Sequence, residues 1–234
     1  SDVAGTTRDA IETDFVYNKQ KYTLIDTAGL RRQRSYEKES IEGYSVIRTM
    51  DAIERADVVL IVMNASEEIS EQDVRIAGMV HENGKPSVVV MNKWDLVEKN
   101  GNTINVFEEN LKEKLKFMDY FKSVYVSALS GQRLTSIIET AKQSYENASR
   151  RIPTGTLNEL LSQAILSNEP PYRNGKRLKI SYITQTNTNQ PTFLLFCNDA
   201  TLMHFSYLRY LENKLRENFD FEGCPIEFNF KNKS

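Results

Sequence analysis

Residues 88–95 of the chain read VVVMNKWD, a continuous apolar run that is followed by three polar residues, Asn92, Lys93 and Asp95, with Trp94 among them. A short apolar run without polar alternation is typical of a strand that is covered on both faces of a parallel sheet. We therefore predict a buried strand from Ser87 to Asn92. Because open α/β sheets bind ligands at the carboxyl ends of their strands, the polar residues that follow are candidate site residues.

Short apolar strands and helix-length segments alternate on both sides of this run, up to about residue 150. Strands that are separated by helices indicate a mostly parallel α/β sheet with helices on both faces. We predict strands at residues 14–18, 22–26, 57–64, 87–92 and 123–127, and helices at residues 41–55, 70–82, 106–116 and 134–147.

The segment ASRRIPTG, residues 148–155, interrupts this alternation with charge, proline and glycine, so we place a domain boundary there. The order of the elements then changes, which predicts a small α+β domain with a helix packed on a short sheet. The chain is thus expected to hold one domain at residues 1–150 and a second at residues 151–234. In the second domain we predict helices at residues 156–166 and 201–217, and strands at residues 178–184, 192–198 and 225–230.

The composition is that of a globular protein, since 234 residues with 40% hydrophobic side chains can bury a sizeable core. The formal net charge of −2 gives no overall attraction to nucleic acid, so any RNA contact has to come from a local patch. The apolar run at residues 58–63 is too short to span a membrane and the N-terminus has no signal pattern, so we expect a soluble, cytoplasmic protein. Cys197 and Cys224 stand apart from any Cys or His cluster and are expected to be buried free thiols.

Asp95 is the candidate reader of a nucleotide base. A carboxylate that accepts from two adjacent N–H groups selects guanine, because adenine lacks that pair of donors. Asn92 is expected to hold the neighbouring loops or the base edge, and the Lys93 stem to lie over the ring face with its ammonium group in solvent. Trp94 is expected to pack beside the base pocket.

A second strand end, VYVSALSG at residues 124–131, predicts the other side of this pocket. The backbone N–H of Ala128 is a candidate donor to the guanine carbonyl oxygen, and Ser127 is expected to brace the loop. Each motif is short enough to arise by chance, but both follow predicted parallel strands, where ligands are expected.

The stretch YTLIDTAGLRR, residues 22–32, predicts a metal and phosphate switch. Asp26, at the end of a predicted strand, is a candidate to hold Mg²⁺ through water, and Gly29 lets a backbone N–H approach a terminal phosphate. Upstream, in AGTTRD, Thr6 or Thr7 is expected to give its hydroxyl to Mg²⁺ and its N–H to the same phosphate, and we favour Thr7.

Together, GTTRD, DTAGL, NKWD and SAL resemble the motifs of the translation-factor-related small GTPases. The tail, with NGKRLKISYITQT and NDATLMHFSYLRYLENKLRENFDFEGCPI, resembles the carboxyl-terminal KH-like domain of the EngA/Der family. Members of this bacterial family have two tandem G domains and assist assembly of the large ribosomal subunit. The resemblance covers essentially the whole chain, and it implies the second G domain, of P-loop type, followed by the KH-like domain.

The resemblance implies hydrolysis of GTP to GDP and phosphate with Mg²⁺, by a cytoplasmic switch that acts on the pre-50S ribosomal subunit and its ribosomal RNA. It gives Thr7, Gly29 and Leu30 as the catalytic positions. Leu30 stands where Ras-like enzymes have a glutamine that orients the attacking water, and leucine cannot hydrogen-bond water. Related enzymes with a hydrophobic residue there use a bound K⁺ near the first switch loop, so K⁺ dependence is a hypothesis for the parent protein.

A phosphate loop of the form G-x-x-x-x-G-K-[ST] does not occur in the 234 residues. By the resemblance it lies before Ser1, as does the first G domain, so we predict that the chain is part of a larger polypeptide. Two alternatives to a catalytic switch stay open. One is a non-catalytic sensor of GTP or GDP that binds RNA or the ribosome, and the other, disfavoured by the tail, is a tRNA-modifying relative.

Other polar and aromatic side chains have simpler interpretations than a site. Neither His81 nor His204 is expected to be a ligand or a catalytic group, since each stands alone among unlike neighbours. A solvent-exposed basic loop is expected at three arginines, Arg31, Arg32 and Arg34.

The tail lacks the G-x-x-G loop with which nucleic-acid-binding KH domains clamp a phosphate backbone. Four basic residues of the tail are candidates either for phosphate contacts or for a solvated face: Arg173, Lys176, Arg177 and Lys179. Three aromatic residues of the tail are expected to be helix packing and not a stacking platform: Phe205, Tyr207 and Tyr210.

Overall fold

The computed structural model describes residues 11–26, 49–173 and 175–233 of the chain. The chain divides into two units, residues 1–56 and residues 57–234. Among the described residues, no helix is both long enough and apolar enough to cross a membrane.

The first unit contains an antiparallel hairpin of strands β1 (Ile11–Tyr17) and β2 (Gln20–Asp26). Asn18 and Lys19 form the turn, and both have positive φ, 49° and 66°. Two-residue hairpin turns favour this conformation because its twist matches that of the strands. The described part of helix α1 follows at residues 49–55.

The second unit begins with a three-stranded parallel sheet and the helices that connect its strands. In chain order these elements are β3 (Val59–Asn64), α2 (Glu71–Glu82), β4 (Ser87–Asn92), α3 (Thr103–Lys114), β5 (Lys122–Tyr125) and α4 (Leu134–Ala148). Strand β4 is central, in the order β3-β4-β5. All β4 residues from Ser87 to Met91 are buried, because the central strand is covered on both faces. The predicted strand from Ser87 to Asn92 is confirmed.

Helix α2 illustrates how local sequence sets an element boundary. The side-chain oxygen of Ser70 accepts a hydrogen bond from the N–H of Asp73 (3.2 Å), and the Asp73 carboxylate accepts from the N–H of Ser70 (3.1 Å). This reciprocal capping satisfies backbone donors that the first turn of a helix leaves unpaired. The helix therefore begins directly after Ser70, one residue later than predicted.

The remainder of the second unit is built on a three-stranded mixed sheet. In chain order its elements are α5 (Thr154–Ser167), β6 (Tyr172–Arg173), β7 (Lys176–Arg177), β8 (Ile180–Asn187), β9 (Thr192–Cys197), α6 (Phe205–Asn218) and β10 (Glu227–Asn232). Strand β9 is central, antiparallel to β8 and parallel to β10. Helices α5 and α6 contribute to one core with the fully buried β9 residues Phe193, Leu195 and Cys197.

The loop between α6 and β10, residues 219–226, fastens the mixed sheet to the parallel sheet. The N–H of Gly223 donates to the carbonyl oxygen of Tyr120 (2.7 Å), and the carbonyl oxygen of Gly223 accepts from the N–H of Ser87 (2.7 Å). Nδ2 of Asn147, a buried residue of α4, donates to a carboxylate and to a backbone carbonyl of the same loop, at 2.9 and 3.0 Å. The loop is therefore hydrogen-bonded through its backbone to the first residue of β4 and to the segment before β5.

The structure differs from the predicted elements chiefly in the tail. Helix α6 begins at Phe205 and not at residue 201, because Asp199 caps a separate 3₁₀ turn at Ala200–Leu202 and His204 caps the helix. The hairpin of β6 and β7 was not predicted, since strands of two residues show no periodicity. Of the predicted helix at 41–55, residues 49–55 fall within the described part of the chain.

Candidate functional site

Asn92 ties the carboxyl ends of three neighbouring strands together. Its Oδ1 accepts a hydrogen bond from the N–H of Ala128 in the loop after β5 (3.0 Å). Its carbonyl oxygen accepts from the N–H of Ala65, directly after β3 (2.8 Å). In this structure the Asn92 side chain thus holds a neighbouring loop, which is one of the two roles that the sequence suggested for it.

The chain turns sharply directly after Asn92. Lys93 has a left-handed backbone conformation, with φ 63° and ψ 33°, which costs a non-glycine residue about 1 kcal/mol or more. A 3₁₀ turn at Trp94–Leu96 follows, and the N–H of Trp94 donates to the carbonyl oxygen of Val126 (3.0 Å). The turn leaves both Lys93 and Asp95 exposed at the end of the sheet, where a ligand can reach them.

Trp94 anchors this turn in the core. It is 2% exposed, and its ring centroid lies 5.0 Å from that of Phe107 in α3 and 4.5 Å from that of Tyr125 in β5. The Tyr125 hydroxyl donates to Oε1 of Glu108 (2.9 Å), and burial raises the pKa of Tyr125 well above its ordinary value. Trp94 packs, as expected, while Asp95 next to it stays exposed. The support from Phe107 and Glu108 was not predicted, because no local pattern shows that α3 packs against β5.

Ser127 braces the loop after β5 from a fully buried position. Its Oγ accepts from the N–H of Ser130 (3.2 Å), and its N–H donates to the carbonyl oxygen of Gln132 (3.2 Å). Ala128, next to it, is exposed, but its N–H is already bonded to Asn92. Ala128 can therefore donate to a base carbonyl only if its N–H is shared with Asn92 Oδ1 or turns away from it when a base binds.

A second asparagine-containing strand end lies beside that of β4 and was not singled out from the sequence. Asn64, the last residue of β3, pairs in register with Asn92 of β4. Its Oδ1 accepts from the N–H and the hydroxyl of Ser66 (3.1 and 2.8 Å), and its Nδ2 donates to Oε1 of Glu67 (2.5 Å). Asparagine at the same position of two adjacent strands was the signal available in the sequence.

The predicted metal and phosphate residues are largely outside the described part of the chain. Four of them, Thr6, Thr7, Gly29 and Leu30, lie wholly outside it, as do Arg31, Arg32 and Arg34. Asp26 ends β2, where it pairs with Ile11 in the hairpin register, but its side chain is not among the described ones. The Mg²⁺ site at Asp26 and Thr7 stays a prediction, and the carboxylate and hydroxyl oxygens of that pair are ligands that Mg²⁺ accepts.

The two histidines have structural surroundings in this fold. Nδ1 of His81 lies 2.8 Å from the hydroxyl of Tyr120, and burial lowers the pKa of His81. Nδ1 of His204 accepts from the N–H of Ser206 and caps α6 (3.3 Å). Among the described residues, no group of three or more His, Cys, Asp and Glu side chains is placed to hold a metal ion.

Both cysteines are buried free thiols, as predicted. Burial raises the pKa of Cys224 to about 12, so its thiolate is not formed near neutral pH. Burial also raises the pKa of Cys197. Neither thiol is therefore a candidate nucleophile.

The aromatic stripe of α6 is only partly packing. The hydroxyl of Tyr207 donates to the carbonyl oxygen of Asn168 (2.9 Å), and that of Tyr210 donates to the carbonyl oxygen of Ala164 (2.8 Å). These two residues hold α6 against α5, as predicted. Phe205 is 75% exposed at the start of α6, so the prediction of packing was wrong for this residue.

Two sequence families match the chain. Residues 151–231 match the family described as the KH-domain-like C-terminal domain of EngA bacterial GTPase enzymes. Residues 1–93 match the family described as 50S ribosome-binding GTPase. The two matches do not overlap, and residues 94–150, which include Asp95, Ser127 and Ala128, lie between them.

Curated relatives match the chain from end to end. Proteins named GTPase Der from Alkaliphilus oremlandii and Alkaliphilus metalliredigens are each 53% identical over 234 residues, which is 100% of this chain and 53% of the relative. GTPase Der of Clostridium botulinum is 52% identical over 233 residues, with the same coverage of 100% and 53%. The chain therefore spans about half the length of the curated relatives it matches.

Among solved structures, Era of Aquifex aeolicus bound to GDP and AlF4⁻ covers 98% of this chain, and the chain covers 82% of it. The TM-score is 0.49 and the sequence identity 20%, which is too distant a likeness to bear on function. The end-to-end identity to GTPase Der and the match of the tail to the EngA domain are specific, and by them the chain belongs to the EngA/Der family of GTPases.

Proposed function

We propose that the chain is the guanine-binding and KH-like part of a GTP-hydrolysing switch in assembly of the large ribosomal subunit. The observation that carries this proposal is the hydrogen bond between Asn92 Oδ1 and the N–H of Ala128 (3.0 Å). It joins the turn that exposes Asp95 to the loop that exposes Ala128. A base can then be held between two strand ends that are fixed to each other.

In this proposal Asp95 selects guanine. Its carboxylate accepts from the ring N–H and the exocyclic amino group of guanine, and the Lys93 stem covers one face of the base. Adenine offers no matching pair of donors and would leave a desolvated carboxylate unpaired, which costs several-fold to orders of magnitude in affinity. The exposure of Lys93 and Asp95 in the structure supports these roles.

The phosphate-binding part of the proposal rests on sequence motifs of the first unit. Asp26 and the hydroxyl of Thr7 are the proposed holders of Mg²⁺, and the N–H groups of Thr7 and Gly29 are the proposed donors to the terminal phosphate. A bound Mg²⁺ neutralises charge that develops on the phosphate oxygens during hydrolysis. The 234 residues contain no phosphate-loop motif, so the proposal applies to a protein that carries this chain together with such a loop.

The ribosomal part of the proposal rests on the matched family descriptions. The first 93 residues match a family described as 50S ribosome-binding. We extend this to the pre-50S subunit and its ribosomal RNA as partners, and to the cytoplasm as the place of action. The domain division at residues 1–150 and 151–234 belongs to the same proposal, with the G domain first and the KH-like domain second.

Exchange of the base tests the proposal most directly. In the full-length protein, Asp95→Asn should weaken GDP binding by at least about tenfold and improve binding of xanthosine diphosphate, because the asparagine amide can donate to the extra carbonyl of xanthine. Titration of both nucleotides by fluorescence or calorimetry gives the two affinities. Glu98→Gln, an exposed carboxylate just after the same turn, is the matched control and should change neither. Unchanged preference for guanine in Asp95→Asn would contradict the proposal.

A non-catalytic nucleotide sensor is the second candidate function, and Leu30 is the observation that favours it. Leucine cannot orient the attacking water, so turnover at this site needs another source of transition-state charge, for which we propose K⁺. Single-turnover hydrolysis by the full-length protein in KCl and in NaCl separates the two candidates. Hydrolysis that is slowed by Asp95→Asn and depends on KCl supports catalysis at this site. Hydrolysis that is indifferent to both supports the sensor.

A further inference from the structure

The mixed sheet has a second face that α5 and α6 do not occupy. Along β9, Phe193, Leu195 and Cys197 are fully buried in the core that these helices share. Successive side chains of a strand point to opposite faces, so Leu194 and Phe196 lie on the other face, where both are partly exposed. We call this second side the open face of the mixed sheet.

One row of side chains crosses the three strands of the open face. Phe196 of β9 pairs with Tyr182 of β8 on one side and with Lys231 of β10 on the other. The rings of Tyr182 and Phe196 meet edge to face, with centroids 5.6 Å apart and planes at 68°. Nζ of Lys231 lies 5.8 Å from the Phe196 centroid. Tyr182 is 41% exposed although it is a large aromatic residue.

Further lysines surround the end of β9 next to this row. Lys179 exchanges two hydrogen bonds with Asn198, since its N–H donates to Asn198 Oδ1 (2.8 Å) and its carbonyl oxygen accepts from the Asn198 N–H (3.0 Å). On the other side, the N–H of Lys233 donates to the carbonyl oxygen of Cys197 (2.8 Å). In the described ranges, no carboxylate lies within ion-pair distance of Lys179, Lys231 or Lys233.

The charge of the open face is polarised along the strands. Glu227, at the start of β10, accepts from Nε2 of Gln190 (3.1 Å), so this carboxylate lies at the opposite end of the strand from Lys231. The hairpin of β6 and β7 lies at the same end as these lysines, because Nδ2 of Asn198 donates to the carbonyl oxygen of Arg177 (3.0 Å). Its charge is partly balanced, since Arg177 is ion-paired with Glu169 (2.7 Å) and Lys176 interacts with the carboxylate of Asp199. The positive charge next to the Tyr182–Phe196 pair thus comes from Lys179, Lys231 and Lys233.

We propose that the Tyr182–Phe196–Lys231 row is a binding site for single-stranded RNA. Aromatic rings on an open sheet, flanked by cations, bind unpaired nucleotides by stacking of the bases and by contacts to the phosphates. Tyr182 stacks on a base, Phe196 fixes the orientation of the Tyr182 ring, and Lys231, Lys179 and Lys233 neutralise phosphates. The choice of RNA as the nucleic acid rests on the proposed ribosomal function.

This site would differ from the groove of KH domains that clamp a phosphate backbone with a G-x-x-G loop, which this sequence lacks. Stacking on the sheet is tolerant of sequence because every base has a flat π face. Binding is therefore expected to depend on unpaired bases and on salt, with little preference for a particular sequence.

Fluorescence anisotropy with a labelled single-stranded oligouridine of about 12 nucleotides tests the site in the 234-residue chain, without added nucleotide. Tyr182→Ala should weaken binding about tenfold, while Tyr182→Phe should keep it, because stacking needs the ring and not the hydroxyl. Lys231→Gln should weaken binding about threefold and reduce the slope of log affinity against log salt by about 0.7, as the loss of one phosphate contact requires.

Two matched controls lie away from the open face. Phe205→Ala removes an aromatic ring that is 75% exposed on α6, and Lys112→Gln removes an exposed cation on α3. Both should bind RNA like the unchanged chain. The proposal would be overturned if the unchanged chain did not bind RNA, or if Phe205→Ala and Tyr182→Ala weakened binding equally. It would also be overturned if polyglutamate displaced the RNA as effectively as unlabelled RNA does. The last result would indicate an acidic protein partner.

The outcome is independent of the guanine site. Because the assay uses no nucleotide, loss of RNA binding in Tyr182→Ala leaves the test with Asp95→Asn untouched, and the reverse also holds. If the base-exchange test fails while Tyr182→Ala weakens RNA binding, the RNA site stands and the GTPase proposal falls.

Discussion

Gly223 has a φ of +78°, in the left-handed region, and a Cβ added to it would lie 2.0 Å from Oγ of Ser144. Its carbonyl oxygen accepts from the N–H of Ser87 in β4, and its N–H donates to the carbonyl oxygen of Tyr120, just before β5, at 2.7 Å each. A side chain here would therefore strain the backbone and displace α4 at the same time. Position 223 therefore favours glycine, because its backbone is hydrogen-bonded on both sides and Ser144 leaves no space for a side chain.

We expect Gly223→Ala to lower the free energy of unfolding of the 234-residue chain by about 2 kcal/mol or more, from the left-handed conformation and the contact with Ser144 together. Urea unfolding followed by circular dichroism measures the change. Gly155→Ala is the matched control, because Gly155 lies in α5 with no atom within 4 Å of an added Cβ. Alanine is a better helix former, so this control should gain up to about 1 kcal/mol. Equal effects of the two substitutions would show that the Gly223 contacts do not hold.

At the scale of elements, the candidate base-binding turn depends on helix α3. The 3₁₀ turn that contains Asp95 is held by Trp94, whose ring packs between Phe107 of α3 and Tyr125 of β5. Glu108 of α3 accepts a hydrogen bond from the Tyr125 hydroxyl, so α3 and β5 are joined by a hydrogen bond as well as by ring contacts. The position of Asp95 is therefore set by an element that begins seven residues after the turn ends, at Thr103.

Trp94→Ala should destabilise the 234-residue chain by about 3–5 kcal/mol, the usual cost of emptying a buried tryptophan site. Chemical unfolding of the purified variant gives the value. Tyr145→Ala is the control for loss of an aromatic ring, because Tyr145 is 40% exposed on α4, and its effect should stay below about 1 kcal/mol. A loss of less than about 1 kcal/mol in Trp94→Ala would contradict the role of Trp94 as the anchor of this turn.

The elements also show what could be predicted from the sequence. Strand β4 was predicted to the residue because its burial on both faces leaves an uninterrupted apolar run. The candidate site residues from Asn92 to Asp95 were found for the same reason, since they follow directly where that run stops. The contacts of Phe107 with Trp94 and Tyr125 could not be predicted from the sequence, because they join segments more than ten residues apart and no periodicity within α3 specifies its partner.

The row of side chains on the open face of the mixed sheet could not be predicted from the sequence, for a related reason. Tyr182, Phe196 and Lys231 lie on three different strands, and only the register of those strands brings them into one row. The aromatic pattern that the sequence does show runs along α6, where Tyr207 and Tyr210 are packing residues that contact α5. A cluster within one helix is visible as a pattern, whereas a row across a sheet is not.

At the scale of the molecule, the parallel sheet and the mixed sheet of residues 57–234 are joined by backbone hydrogen bonds of the loop at residues 219–226. Ser87 opens the central strand of the parallel sheet, and its N–H is satisfied by Gly223 of the other half (2.7 Å). The guanidinium carbon of Arg216 in α6 lies 5.0 Å from the ring centroid of Tyr120, next to His81. A buried backbone pair is costly to break, so the two sheets are expected to open together and not as independent domains.

Native-state hydrogen exchange tests this coupling. The amides of Ser87 and Gly223 are each held by a 2.7 Å hydrogen bond across the junction and should exchange with the same free energy of opening as the amide of Val90, in the centre of β4. Leu129, which is 92% exposed in the loop after β5, is the internal control and its amide should exchange much faster. Exchange of Gly223 at a rate close to that of Leu129 would mean that the α6–β10 loop detaches on its own. In Gly223→Ala the amide of Ser87 should lose most of its protection, because the substitution breaks the junction. The amide of Val90 should lose only the roughly 2 kcal/mol by which the whole chain is destabilised, because the parallel sheet stays paired.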